Sequence, residues 1–155
     1  MLVLAAAIAV SAWALVRYAW EPVRCNAVVS QVEADTIAAE QLPDPYARTL
    51  RAKRNLARLE PLRCASEVRV PVLVASNEEL MEHFEEAARH YEDALRMEQR
   101  PEIYLALGNV QVRLGRIDAA VENYARGVKF HPPMIFEVPS DEVRRRTADR
   151  LHLPQ

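Results

Sequence analysis

The stretch from Pro101 to Pro132, PEIYLALGNVQVRLGRIDAAVENYARGVKFHP, places small, large and turn-forming residues at spacings that predict two packed helices. In its first half, Tyr104 and Leu107 fall on one helical face. Gly108 has no Cβ atom, so a neighbouring helix can approach closely at that point. These residues predict a first helix that packs tightly against a second.

The second half of this stretch supplies the turn and the second helix. Gly115 fits the turn, where a positive φ costs glycine little. Ala120 and Tyr124 form an i,i+4 pair, in which the small side chain lets the helices touch and the ring fills the space beside it. Pro132 then ends the second helix, because proline supplies no backbone donor.

This pattern resembles one tetratricopeptide repeat (TPR), a helix–turn–helix unit with a period of about 34 residues. The resemblance implies that the chain binds another protein and does no chemistry. Gln111, where the family usually has an aromatic residue, and Gly127, where it usually has alanine, depart from the pattern. An ordinary amphipathic helical hairpin is the alternative interpretation. The residues that carry the resemblance are Tyr104, Leu107, Gly108, Gly115, Ala120, Tyr124 and Pro132.

The resemblance also implies where a partner binds, since the first helix of such a repeat lines a groove. Asn109 and Arg113 lie one turn apart and are expected to hold a peptide backbone or an acidic side chain. The expected partner-binding residues are Glu102, Leu105, Asn109, Val112 and Arg113.

A partial second repeat precedes this unit. Ala87 and Tyr91, spaced like the pair in the main stretch, resemble the second helix of another repeat. Upstream, valines alternate along residues 67–76 and Pro71 interrupts them, which predicts an extended linker.

A TPR-like helical domain is therefore expected over residues 77–155. Ser76 begins a capping box that predicts a long helix to about Gln99. Ser140 and the acids after it predict a last helix to about Leu151, which resembles the solvating helix that covers the end of a TPR array. The domain then holds roughly one and a half repeats, fewer than the three or so that usually make a stable stack.

The N-terminus predicts a transmembrane anchor over residues 1–21. Residues 2–16, LVLAAAIAVSAWALV, carry no charge, and a helix of about 20 residues is about 30 Å long, enough to cross a bilayer core. Arg17 lies near its end, where Tyr18 and Trp20 suit the membrane interface. The alternatives are a cleaved signal peptide, which would want a basic region ahead of the apolar run, and a buried core helix.

Two cysteines bracket a predicted helical hairpin over residues 22–66. Pro43 and Pro45 mark a turn midway between Cys25 and Cys64, so an antiparallel hairpin brings the two thiols together at its open end. A disulfide there would stabilise the fold by about 2–4 kcal/mol. Two buried free thiols are the alternative.

The orientation of the anchor involves a conflict between two rules. Arginines follow the span, first at Arg17 and Arg24, and none precedes it, which places the soluble part in the cytoplasm. A disulfide instead favours an oxidising compartment such as the bacterial periplasm. We expect a single-pass protein of the bacterial inner membrane with its soluble domain in the periplasm, because acids in the hairpin offset part of the arginine charge.

Composition and motifs argue against chemistry. The net charge of −2 gives no field suited to nucleic acid, and 3 glycines with 6% aromatic residues fit helices better than a sheet. No nucleophile, phosphate-binding or zinc-protease motif is present. His83 and His90 with Glu86 between them are the one weak metal hypothesis. We expect no enzyme activity, no catalytic residues, no cofactor and no metal.

The sequence thus predicts an all-α protein with an N-terminal transmembrane helix, a helical hairpin, a TPR-like helix–turn–helix array and a C-terminal capping helix. The first functional hypothesis is a membrane-anchored interaction module that scaffolds or helps to assemble an envelope complex. The second is a permanent structural subunit of a larger membrane complex or filament. Both imply protein partners at the membrane and contact with the bilayer through residues 1–21, and both allow an oligomer.

Overall fold

The structure is a computed structural model that describes residues 2–62, 64 and 67–152, and of residues 2–12 and 14–21 only the backbone. The described part is entirely helical and contains no strand. A short 3-10 helix, Pro132–Glu137, precedes the last of the α-helices. The α-helices are α1 (Leu2–Glu40), α2 (Pro45–Leu59), α3 (Arg69–Leu80), α4 (Phe84–Met97), α5 (Pro101–Arg113), α6 (Ile117–Phe130) and α7 (Asp141–Leu151).

Helix α1 runs without interruption from the predicted anchor into the first helix of the hairpin, and Pro22 lies inside it. The side chains of the predicted anchor, residues 1–21, lie outside the described residues except for that of Trp13. Within what is described, no helix combines the length and the apolar character needed to cross a membrane.

The hairpin forms as the sequence predicts. Asp44 caps α2, because its carboxylate accepts a hydrogen bond from the backbone N–H of Tyr46 at 3.0 Å. At the open end, Cys25 and Cys64 form a disulfide with their Cα atoms 6.1 Å apart. The turn residues and the cysteine spacing therefore determine this part of the fold together.

The predicted extended linker is wrong, because α3 occupies that segment. Pro71 lies in the first turn of the helix, where its missing N–H is not needed. The alternating valines are two interleaved i,i+4 pairs of a helix that is covered on two sides. Val68 and Val72 pack with α4, whereas Val70 and Val74 pack with the hairpin. The alternation of valines in this segment therefore arises because two faces of one helix are buried, and not because the chain is extended.

The single long helix predicted from Ser76 is also wrong, because a turn divides it into α3 and α4. Glu82 adopts a left-handed conformation with φ of 62°, and the N–H of His83 donates to the carbonyl of Glu78 at 2.9 Å. The same turn joins α5 to α6, where Gly115 has φ of 72° as its position predicts. Ser76 lies inside α3 and caps nothing.

The described part of the chain consequently contains two complete helix pairs, α3–α4 and α5–α6, where one and a half repeats were expected. A shift of 33 positions relates them: Ser76 and Tyr91 in the first pair correspond to Asn109 and Tyr124 in the second. In each pair the tyrosine hydroxyl on the second helix bonds to the polar side chain on the first, at 3.0 Å and 2.8 Å. The two pairs are therefore an internal repeat in packing as well as in sequence.

A buried polar triad fixes the hairpin to the first helix pair. Thr36, Asn55 and Asn77, from α1, α2 and α3, are 3%, 1% and 0% exposed. The amide of Asn55 donates to Thr36 Oγ1 at 3.2 Å and to Asn77 Oδ1 at 3.0 Å. The amide of Asn77 donates to Thr36 Oγ1 at 2.9 Å and to the carbonyl of Leu73 at 2.7 Å. All four side-chain N–H groups are satisfied, so the triad ties three helices together without an unpaired donor.

Helix α7 covers the end of the second pair, in the position predicted for a capping helix. Ser140 caps its N-terminus, and Val143 lies in a buried cluster with residues of α6. Its basic side chains are neutralised locally; Arg146, for example, pairs with Asp118 of α6. The arginines of α7 are thus the solvated face of a packed helix.

Candidate functional site

A cleft with a volume of about 560 Å³ lies where the hairpin meets the helix pairs. Glu40 at the end of α1 and the first turn of α2 form one wall. The opposite wall is the end of α3, the start of α4 and Arg113 at the end of α5. The size is within the range of about 300–1,000 Å³ that suits a small ligand or a few side chains of a peptide.

The floor of the cleft is a hydrogen-bonded row from Ser76 through Tyr91 to Glu79. The hydroxyl of Tyr91 is 3.0 Å from Ser76 Oγ and donates to Glu79 Oε1 at 2.6 Å. Burial, followed by a smaller contribution from the charge of Glu40, raises the pKa of the Glu79 carboxyl above its ordinary value. Desolvation by the cleft walls raises the pKa of Glu40 as well. The lining of the cleft therefore includes two carboxyl groups, those of Glu40 and Glu79, whose charged forms the protein disfavours.

Aromatic side chains stand at the mouth of the cleft. The ring of Phe84 lies under the guanidinium group of Arg113, with Cζ 4.6 Å from the ring centroid. Tyr46, on the first turn of α2, is 75% exposed. The cleft thus offers apolar ring surface next to its polar floor, as sites that bind peptides commonly do.

The positive charge of the cleft comes from Arg48 of α2 and Arg113 of α5. Within the described part of the chain neither guanidinium group forms an ion pair. No sequence pattern marks Arg48, Tyr46 or Glu40 as site residues, because nothing in the sequence says that the tip of the hairpin docks beside α3. The polar triad that causes this docking consists of three residues with no recognisable spacing.

The predicted partner-binding residues do not form one open face. Glu102 is exposed, but Leu105 and Val112 pack against the buried cluster formed with α6 and α7. Asn109, which is half-buried, accepts the hydrogen bond of the buried Tyr124 hydroxyl at its Oδ1 atom. Arg113 is exposed and lines the cleft. The Oδ1 atom of Asn109 is therefore engaged within the α5–α6 pair, and partner binding by the five residues stays a prediction.

Five of the seven residues predicted to pack within the repeat are buried, whereas Gly115 and Pro132 are exposed. Tyr104 and Leu107 are nearly inaccessible, and Ala120 and Tyr124 are fully so. Gly108 faces the ring of Tyr124, so that a Cβ atom built there would lie 2.5 Å from a ring carbon. The close neighbour of this glycine is thus a side chain, whereas the pattern predicts helix backbone. Helix α6 ends at Phe130, just before Pro132, as predicted.

No group of three metal-ligating side chains converges among the described residues. The ring of His83 is 2.7 Å from Glu78, and His90 lies 4.0 Å from Asp93, whereas Glu86 pairs with Arg89. These contacts account for the residues of the weak metal hypothesis by ordinary surface pairing.

No protein-family model matches the chain, and a search of the curated proteins likewise returns no match. The class of protein that the geometry supports is therefore defined by the fold alone: a disulfide-closed helical hairpin docked on an array of two helix pairs.

Proposed function

We propose that the protein is a membrane-anchored, TPR-like interaction module that holds a partner protein and so scaffolds or helps to assemble an envelope complex. The partner segment enters the cleft between the hairpin and the helix pairs. Residues 1–21 anchor the module in the inner membrane, and the disulfide-closed hairpin lies in the periplasm. The disulfide supports an oxidising compartment, and the apolar N-terminal sequence supports the anchor.

The cleft is the observation that carries this proposal. The hairpin and both helix pairs line it, and the triad of Thr36, Asn55 and Asn77 fixes the hairpin on the first pair. A site fixed by satisfied buried hydrogen bonds is preorganised, which lowers the entropic cost of binding.

A permanent structural subunit is the second candidate, and exposed apolar side chains favour it. Ile37 and Leu50 on the outside of the hairpin and Phe136 beyond α6 are exposed, the last at 78%. Side chains of this kind suit stable contact with neighbouring subunits.

Affinity purification from detergent-solubilised membranes separates the two candidates. Three tagged chains are compared: the wild type, Arg113→Glu in the cleft, and Arg54→Glu, an exposed arginine of α2 that does not line the cleft. We expect the same partner with the wild type and with Arg54→Glu, and at least a tenfold loss with Arg113→Glu. Equal recovery with all three would argue against the cleft and for the structural subunit.

A further inference from the structure

Arg48 is the least satisfied charged side chain of the cleft. Its Nε atom is buried without a hydrogen-bond partner, and in the described residues no acceptor reaches its guanidinium group. Arg144 has a similarly buried Nε, but its two Nη atoms donate to Asp141 at 2.7 Å and to the carbonyl of Val138 at 2.8 Å. A buried hydrogen-bond donor without an acceptor costs about 1–3 kcal/mol of stability, and more when the donor is charged. Arg48 therefore has a donor that no acceptor among the described residues satisfies.

Arg113 enters the same cleft from a different helix. Its contact with the ring of Phe84 fixes the guanidinium group in position but supplies no counter-ion. Glu79 feels the charge of Arg113 only weakly and is engaged by the Tyr91 hydroxyl. Three acids line the cleft, Glu40, Glu79 and Glu82, and among the described residues none of them forms an ion pair with either arginine.

We propose that the cleft binds a carboxylate side chain of an extended acidic segment of the partner protein, held between Arg48 and Arg113. This inference rests on the proposed function as an interaction module. A guanidinium group presents paired N–H donors in a fork that matches a carboxylate, so Arg48 would gain the acceptor that its Nε lacks. The rings of Tyr46 and Phe84 then cover the apolar part of the segment. A basic segment would satisfy neither arginine.

Nuclear magnetic resonance of the Arg48 side chain tests the inference. The full chain, labelled with ¹⁵N, is held in nanodiscs of phosphatidylcholine, and the Arg48 Nε–Hε signal is assigned by its absence from Arg48→Lys. The probe is an octapeptide built from Gly, Ser, Tyr and Glu, with matched peptides in which Lys or Gln replaces Glu. We expect only the acidic peptide to shift this signal, and we expect the shift to reach a plateau as the peptide concentration rises.

Binding of the same peptides to variants decides the outcome. We expect Arg48→Gln to weaken binding of the acidic peptide at least tenfold, Arg48→Lys to weaken it less, and Arg54→Gln to leave it unchanged. Equal binding of the basic or neutral peptide would overturn the inference. Full binding of the acidic peptide by Arg48→Gln would also overturn it. So would full binding by Arg48→Lys if the acidic peptide does not shift the Arg48 signal of the wild type. If partner recovery from membranes depends on Arg113 while the acidic peptide does not bind, the module stands and only this inference falls.

Discussion

Replacing Gly108 by alanine sets two opposed effects against each other. Alanine is about 1 kcal/mol better than glycine within a helix, so the backbone alone would be stabilised. The added Cβ, however, would lie 2.5 Å from Tyr124 Cε1 and 2.8 Å from two further ring carbons. The ring cannot move away cheaply, since Tyr124 is 0% exposed and its hydroxyl is bonded to Asn109. Overpacking of this kind costs about 1–3 kcal/mol. We expect a net destabilisation of about 1 kcal/mol.

Urea unfolding of the full chain in mild detergent, followed by circular dichroism, measures this change. The matched control is Gly108→Ala made together with Tyr124→Leu, in which the obstructing ring is gone. Measured against Tyr124→Leu alone, the alanine at position 108 should be neutral or stabilising. The difference between its effects in the two backgrounds gives a coupling free energy of about 1 kcal/mol or more between the two positions. A gain of about 1 kcal/mol from Gly108→Ala in the wild-type background would refute the packing described here.

Four further substitutions test other parts of the structure. Asn77→Ala leaves one buried N–H of Asn55 without an acceptor, so it should lower the free energy of unfolding by about 1–3 kcal/mol and speed hydrogen exchange in α2. A loss below about 0.5 kcal/mol would show that the triad does not hold the hairpin. Glu82→Gly relieves a left-handed residue and should stabilise by about 0.5–1 kcal/mol, whereas Gly115→Ala should destabilise; the reverse signs in urea unfolding would contradict the two turns. Because burial raises the folded pKa of Glu79, its contribution to stability is complete below the ordinary value of 4.5 and is lost as pH rises through the raised value. Glu79→Gln should therefore raise the melting temperature at pH 8 and not at pH 4; an equal effect at both values would contradict a desolvated carboxyl.

The parts of the fold that the sequence predicts are those set by local chemistry. The turn at Pro43 and Pro45, the disulfide between Cys25 and Cys64, and the left-handed turn at Gly115 each depend on one or two residues with restricted conformations. Such residues have the same preference in the sequence as in the folded chain, so local reasoning suffices.

The parts that the sequence does not predict depend on distant partners. The alternating valines indicate an extended linker only if one face is assumed to be solvated, and docking of the hairpin buries the second face of α3. Glu82 carries no signal for a turn, because glutamate rarely adopts a positive φ. The hydrogen bond from the Tyr124 hydroxyl to Asn109 joins two helices, and no local pattern in the sequence predicts it. The cleft itself requires contacts among five helices, which no local pattern reveals.

Site-specific photo-cross-linking in native membranes is the most direct test of a partner segment in the cleft. A benzophenone amino acid replaces Tyr46 at the mouth of the cleft in one chain and Arg89, an exposed residue on the outer face of α4, in a control chain. Irradiation followed by mass spectrometry then identifies the cross-linked residues. We expect position 46 to cross-link to one short acidic segment of a single protein, and Arg48→Gln to remove this product. Cross-links that form equally at position 89, or that persist unchanged in Arg48→Gln, would contradict it.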